Sequence, residues 1–88
     1  MRLRWSEPAS GNLCAIYEFI ALENPITAAE TVEMLVRIAE RLLFYPQLGR
    51  KGEAGTRRMV HAPWIIVYRI IDDVVSVEAV FHGRRKVG

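Results

Sequence analysis

Apolar residues recur at helical spacing through the first half of the chain and at strand spacing through the second. Ala9, Leu13, Ile16, Tyr17 and Ile20 lie on one stripe of a helix. Ser6 precedes it as an N-cap, and Pro8 is tolerated in the first turn, where a missing N–H costs nothing. Gly11 and Asn12 weaken that turn by roughly 1 kcal/mol. Glu23-Asn24-Pro25 ends it, and Asn24 then caps a second helix with Pro25 at its first position. The stripe of this helix runs through Ala28, Val32, Leu35, Val36, Ala39, Leu42 and Leu43, widened to one side by Met34, Ile38 and Tyr45. Its apolar arc spans about half the circumference, more than the ~100° that one contact needs. The helix therefore touches two things: the first helix and a sheet, or these plus a partner.

Pro46 stops the second helix. The following "PQLGRKGEAG" is a glycine-rich basic loop. It has neither Walker-A nor GxGxxG spacing, so it is not read as a phosphate cradle. Residues 57–82 are β-like: "RRMVH", a tight turn at Ala62-Pro63, "WIIVYRII", a two-residue turn at Asp72-Asp73, and "VVSVEAVFH". The N-terminal "RLRW" alternates and is a candidate strand. Folding the hairpin at 72/73 sets Tyr68 against Val77, Ile66 against Ala79 and Trp64 against Phe81. That side, with Ile70 and Val75, is expected to be covered by helices. The other side then holds Ile65, Val67, Arg69, Ile71, Val74, Ser76, Glu78, Val80 and His82, with Arg69 and Glu78 close enough for a diagonal pair. It is half apolar, and such a face invites a partner. The expected fold class is α+β, an N-terminal helical hairpin packed on a small antiparallel sheet, with residues 1–88 as one domain.

Charge sharpens the picture of the second half. Residues 1–44 carry four basic against six acidic side chains, and residues 45–88 carry eight against four. The asymmetry fits an anionic partner for the second half or an unevenly solvated surface. The overall net charge of +2 is low for a domain that lives on phosphates, so direct DNA binding by this chain alone is not expected. Cys14 is the only cysteine and reads as a small buried hydrophobe in a reducing compartment. No 18-residue apolar run is present and the N-terminus lacks signal-peptide features, so a cytoplasmic protein without a membrane span is expected. No metal-ligand spacing appears, and no metal or cofactor is expected. His61 and His82 fall at one sheet edge, where they are either an acid–base pair or ordinary strand-end residues. Arg57 reads as a target contact or as a structural bridge to a Glu.

With these elements placed, the chain resembles the ParE/RelE toxin superfamily, especially its ParE branch. The matching pieces are "L..P..GR" after the second helix, "GTR" opening a strand, "IVYRI" before an acidic turn, and a last strand running into "HGRR". Upstream, "RWSEPASGNLCAIYEFI" is similar to the family's first strand and helix, with Asn12 where an Asp is more usual, and "NPITAAE" to its second helix start. The resemblance implies the toxin of a type II toxin–antitoxin module, bound by a ParD-like antitoxin that wraps the hairpin and the sheet. Met34, Ile38, Tyr45, Ile65, Val67 and Val80 are the apolar surface expected to receive it. Arg57, Arg58, His82, Arg84, Arg85 and Lys86 are the expected contacts to target or antitoxin.

Two activities occur in that superfamily. RelE-like members cut mRNA on the ribosome, and ParE-like members poison DNA gyrase without catalysis of the usual kind. A RelE-type site would draw on Arg57 and Arg85, with His82 and His61 as further candidates. However, Met59 and Ile65 stand where such a site needs basic residues, and the sequence ends at Gly88 before a catalytic Tyr. Losing those cations forfeits transition-state stabilisation. The resemblance therefore favours a gyrase inhibitor with no catalytic residues, the ribosome-dependent mRNA endonuclease being the alternative.

Overall fold

The computed structural model describes residues 1–84. The chain opens with strand β1 (Arg2–Trp5), then helices α1 (Glu7–Ala21) and α2 (Pro25–Arg41). A short strand β2 (Arg50–Lys51) follows, then a 3-10 turn over Glu53–Gly55, and strands β3 (Thr56–His61), β4 (Trp64–Ile71) and β5 (Val74–His82). Both helices begin where the sequence places their caps. Ser6 accepts from the Ala9 N–H and Asn24 from the Thr27 N–H, each relieving a donor that the first turn leaves unpaired.

The strands of the described residues form one sheet in the order β1-β5-β4-β3-β2. β1 runs parallel to β5 and the other pairings are antiparallel, so the sheet is mixed where an antiparallel one was expected. α1 and α2 form the hairpin and cover one face. Leu35, Ile38 and Ala39 of α2, with Ala9 of α1, pack on Ile66, Val77 and Val80; Leu42 continues the seam onto Tyr68 and Val75. Burial of these side chains is the main term holding helices to sheet, each leucine, isoleucine or valine contributing about 1.5–3 kcal/mol. Cys14 is exposed, a departure from the expected buried position. It lies on α1 with Tyr17 and Glu18, turned away from the sheet. Among the described residues no helix is long and apolar enough to cross a membrane.

The hairpin register holds only for its first half. Ile71 pairs with Val74, Ile70 with Val75, Arg69 with Ser76 and Tyr68 with Val77, as the two-residue turn dictates. Beyond that point Val67 pairs with Ala79, Ile66 with Val80, Ile65 with Phe81 and Trp64 with His82. Glu78 is an extra residue in β5, a β-bulge, and everything after it changes face. Val80 is therefore a core residue only 1% exposed and not part of an antitoxin-facing surface. His82 likewise shares the helix-covered side with Trp64, while Phe81 turns out. Ile38 is also corrected: at 5% exposure it sits in the core, because α2 presents Leu35, Ile38 and Leu42 to the sheet. Met34 is half-buried against the same cluster.

Candidate interaction surfaces

An apolar groove lies between α1 and the distal end of β4 and β5. Its volume is about 410 Å³, and Asn12, Ile16, Phe19, Ile20, Trp64 and His82 contribute to its walls. The extra residue in β5 creates one wall by turning Val80 and His82 inward. Asn12 fixes that strand to α1, its Oδ1 accepting from the Val80 N–H at 3.0 Å. The His82 ring meets Trp64 edge-on, with centroids 5.4 Å apart, and its Nδ1 accepts from the Arg84 N–H at 3.2 Å. Next to the groove, Phe19, Leu22 and Ile26 stand 78%, 83% and 75% exposed around the helical turn. Large apolar side chains left this exposed beside an apolar groove mark a contact surface. The sequence reading missed Phe19, Leu22 and Ile26 because they fall off the core stripes; an apolar residue off the stripe was itself the signal.

His61 and His82 are not direct neighbours. Both lie opposite Trp64, on the strands either side of it. Two interstrand spacings put them about 10 Å apart, with the indole between them. That spacing leaves no direct hydrogen bond between their rings, which an acid and a base acting on one substrate do not require.

The sheet face away from the helices is basic. Register places Arg2 and Arg4 of β1, Arg69 of β4, Arg58 of β3 and Arg50 of β2 on this one side. Glu78 sits among them. Arg4 donates to the Ser76 hydroxyl at 3.1 Å, Ser76 donates to Glu78 at 3.0 Å, and Arg69 Nε donates to the other Glu78 oxygen at 3.4 Å. The anticipated Arg69–Glu78 pair is thus present. It draws Arg4 in from the neighbouring strand and covers Ser76. Toward β3 the face turns apolar with Val60, Ile65, Val67 and Phe81, and the Arg58 guanidinium stands 5.8 Å over the Phe81 ring. Of the residues expected on the antitoxin-facing surface, Ile65 and Val67 lie half-buried on this face, and Tyr45 is exposed beyond the end of α2. Arg84 is exposed; Arg85 and Lys86 lie outside the described residues.

Arg57 and Tyr68 hold the loop between α2 and β2. Arg57 Nη1 donates to the carbonyls of Gly49 (2.9 Å) and Gln47 (3.4 Å), so its structural partners are backbone oxygens and not a Glu. The fully buried Tyr68 hydroxyl donates to the Pro46 carbonyl at 2.7 Å and accepts from the Gly49 N–H at 2.8 Å. Arg69 closes the next stretch by donating to the Ala54 carbonyl, where Ala54 and Gly55 take positive φ of 54° and 78°. Burial pushes the Tyr68 hydroxyl above its ordinary value of 10.0, against the smaller lowering effects of the Gly49 N–H and the Arg57 charge. The folded chain thus favours the neutral phenol. Its contribution is complete below pH 10.0 and is lost as pH rises from there through the higher folded value. Urea unfolding of wild type and Tyr68→Phe across that range should show their stability difference shrinking in alkali.

The fold and its surfaces define a small α+β protein built for association, with an apolar groove on one side of the sheet and arginines on the other. Residues 3–87 match the family described as ParE toxin of type II toxin-antitoxin system, parDE. The chain belongs to that family and is the toxin component of a type II toxin–antitoxin module, whose partner is an antitoxin protein. It is 30% identical over 82 residues to Toxin RelE2 of Caulobacter vibrioides, covering 92% of this chain and 93% of that one. A solved chain of the chromosomal ParDE TA system from P. aeruginosa superposes with a TM-score of 0.81 at 24% identity, over 93% of this chain and 95% of that one. That likeness bears out the α+β architecture.

Proposed function

We propose that this toxin acts in the cytoplasm on DNA gyrase, without cutting RNA, and that its antitoxin silences it by seating apolar side chains in the groove between α1 and the β4–β5 end. What supports the first part is the use made of the residues a ribonuclease would need. Arg57 is engaged with loop carbonyls. Met59 packs against the core. Ile65 belongs to the apolar part of the outer face. The two positions where a RelE-type site needs basic residues therefore carry no charge to stabilise a cleaving phosphate. The groove and the exposed Phe19, Leu22 and Ile26 support the second part, since an amphipathic segment laid along them would bury these side chains.

One pair of assays tests the reading. Purified toxin should inhibit gyrase supercoiling and leave mRNA intact on translating ribosomes. Ribosome-dependent cuts within codons, with supercoiling unaffected, would replace it with the RelE-like alternative. Phe19→Glu should weaken antitoxin binding by at least about tenfold, because a carboxylate would be carried into an apolar contact. The same variant should keep its gyrase inhibition.

A further inference from the structure

A second hollow lies on the opposite side of the molecule, at the β2 edge of the sheet. Its volume is about 650 Å³, and Leu48, Arg50, Lys51, Arg58, Met59, Val60 and Ile65 line it. That volume is within the ~300–1,000 Å³ range of pockets that hold a ligand. None of these residues lines the groove beside α1. Arg50 and Arg58 stand on the same sheet face as Val60 and Ile65, Lys51 follows at the strand edge, and no acidic residue contributes to the lining among the described residues.

Its shape is built in. The loop carrying Leu48 and leading into Arg50 is tied at Pro46, Gln47 and Gly49 by Tyr68 and Arg57. β2 is the last strand in the sheet order, so its outer edge has no sheet neighbour among the described residues. Leu48 and Val60 are nonetheless exposed, and Arg50 and Lys51 extend into solvent beside them. A nucleic-acid strand would want rings to stack on. No aromatic residue is in the lining, and the nearby Phe81 ring is already covered by Arg58.

We infer that this hollow binds an acidic, extended protein segment, its carboxylates against Arg50, Lys51 and Arg58 and an apolar side chain on Leu48, Val60 and Ile65. The segment's backbone runs beside the open edge of β2, where unpaired peptide groups are available to it. Tethering of the loop means that little ordering is needed on binding.

The test is fluorescence anisotropy of the whole chain with a fluorescein-labelled peptide of alternating Glu and Leu. A Gln–Leu peptide and a single-stranded oligonucleotide serve as competitors. Arg50→Glu with Lys51→Glu should weaken the Glu–Leu peptide by at least about tenfold. Leu48→Ser should weaken it less, and Arg37→Glu with Arg41→Glu on α2 should leave it unchanged. Circular dichroism checks the fold, and Arg50→Gln with Lys51→Gln replaces the reversed pair if that pair is misfolded. Equal loss from the α2 reversal would reduce the effect to diffuse attraction and overturn the proposal. So would equal binding of the Gln–Leu peptide, or displacement by the oligonucleotide at lower concentration. Because neither antitoxin nor gyrase is present, failure here leaves the toxin reading intact, and the converse also holds.

Discussion

Gly49→Ala should destabilise the protein by about 3 kcal/mol, although it adds one methyl group at a loop position. A Cβ there would stand 2.6 Å from the Tyr68 hydroxyl oxygen, 2.7 Å from its Cε1 and 3.0 Å from the Arg58 carbonyl. Tyr68 is fully buried and its hydroxyl is held by two hydrogen bonds. Either its ring shifts and loses the bonds to Pro46 and Gly49, or the loop lifts. Overpacking alone costs about 1–3 kcal/mol, and a buried hydrogen bond left open adds about 1–3 kcal/mol. At ~4–8 °C per kcal/mol for a domain of this size, a thermal melt resolves the change readily. The mechanism makes a further demand. Gly49→Ala should cost less in a Tyr68→Phe background, since the hydroxyl and its two bonds are already gone. Full additivity in that double-mutant cycle would show that the clash lies elsewhere.

Leu35→Ala is the second large effect, about 2–5 kcal/mol, because it opens a cavity at the centre of the helix–sheet seam. Leu35 is fully buried among Ala9, Ile38, Ile66 and Val77. Leu22→Ala removes the same atoms from the exposed turn between the helices and should fall within about 0.5 kcal/mol of wild type. Urea denaturation of the two variants side by side separates a leucine that holds the fold from one left for contact. Similar losses at both positions would mean that the turn packs more tightly than its exposure indicates.

That pair of leucines also shows how far the sequence could be read. Helical periodicity located both helices, and the capping residues Ser6 and Asn24 act as expected, because caps and stripes are local. The turn at Asp72-Asp73 set the near half of the hairpin correctly for the same reason. The far half was misread because a bulge leaves no mark in an alternating pattern: "VSVEAVF" supports either face for Val80. Two residues expected on the antitoxin-facing surface, Ile38 and Val80, were core for related reasons of helix phase and strand register. The basic sheet face was not legible at all. It depends on β1 joining the sheet beside β5, 72 residues away in the Arg4–Ser76 contact, and on β2 forming inside what reads as a loop. Arg57 read as a target contact or a structural bridge to a Glu, and nothing in the sequence revealed that backbone carbonyls are what it holds.

The extra residue at Glu78 gives β5 two sidednesses in one strand. Before it, even-numbered positions face the arginines; after it, they face the helices. Removing that one residue would leave composition and hydropathy almost untouched, yet it would swap the solvent and core roles of Val80, Phe81 and His82 together. A relative lacking it would have to carry the reverse apolar order over its last strand to keep a groove of this shape. The spacing between the acidic turn and the strand's end is therefore a stricter signature of this surface than the identity of any residue lining it.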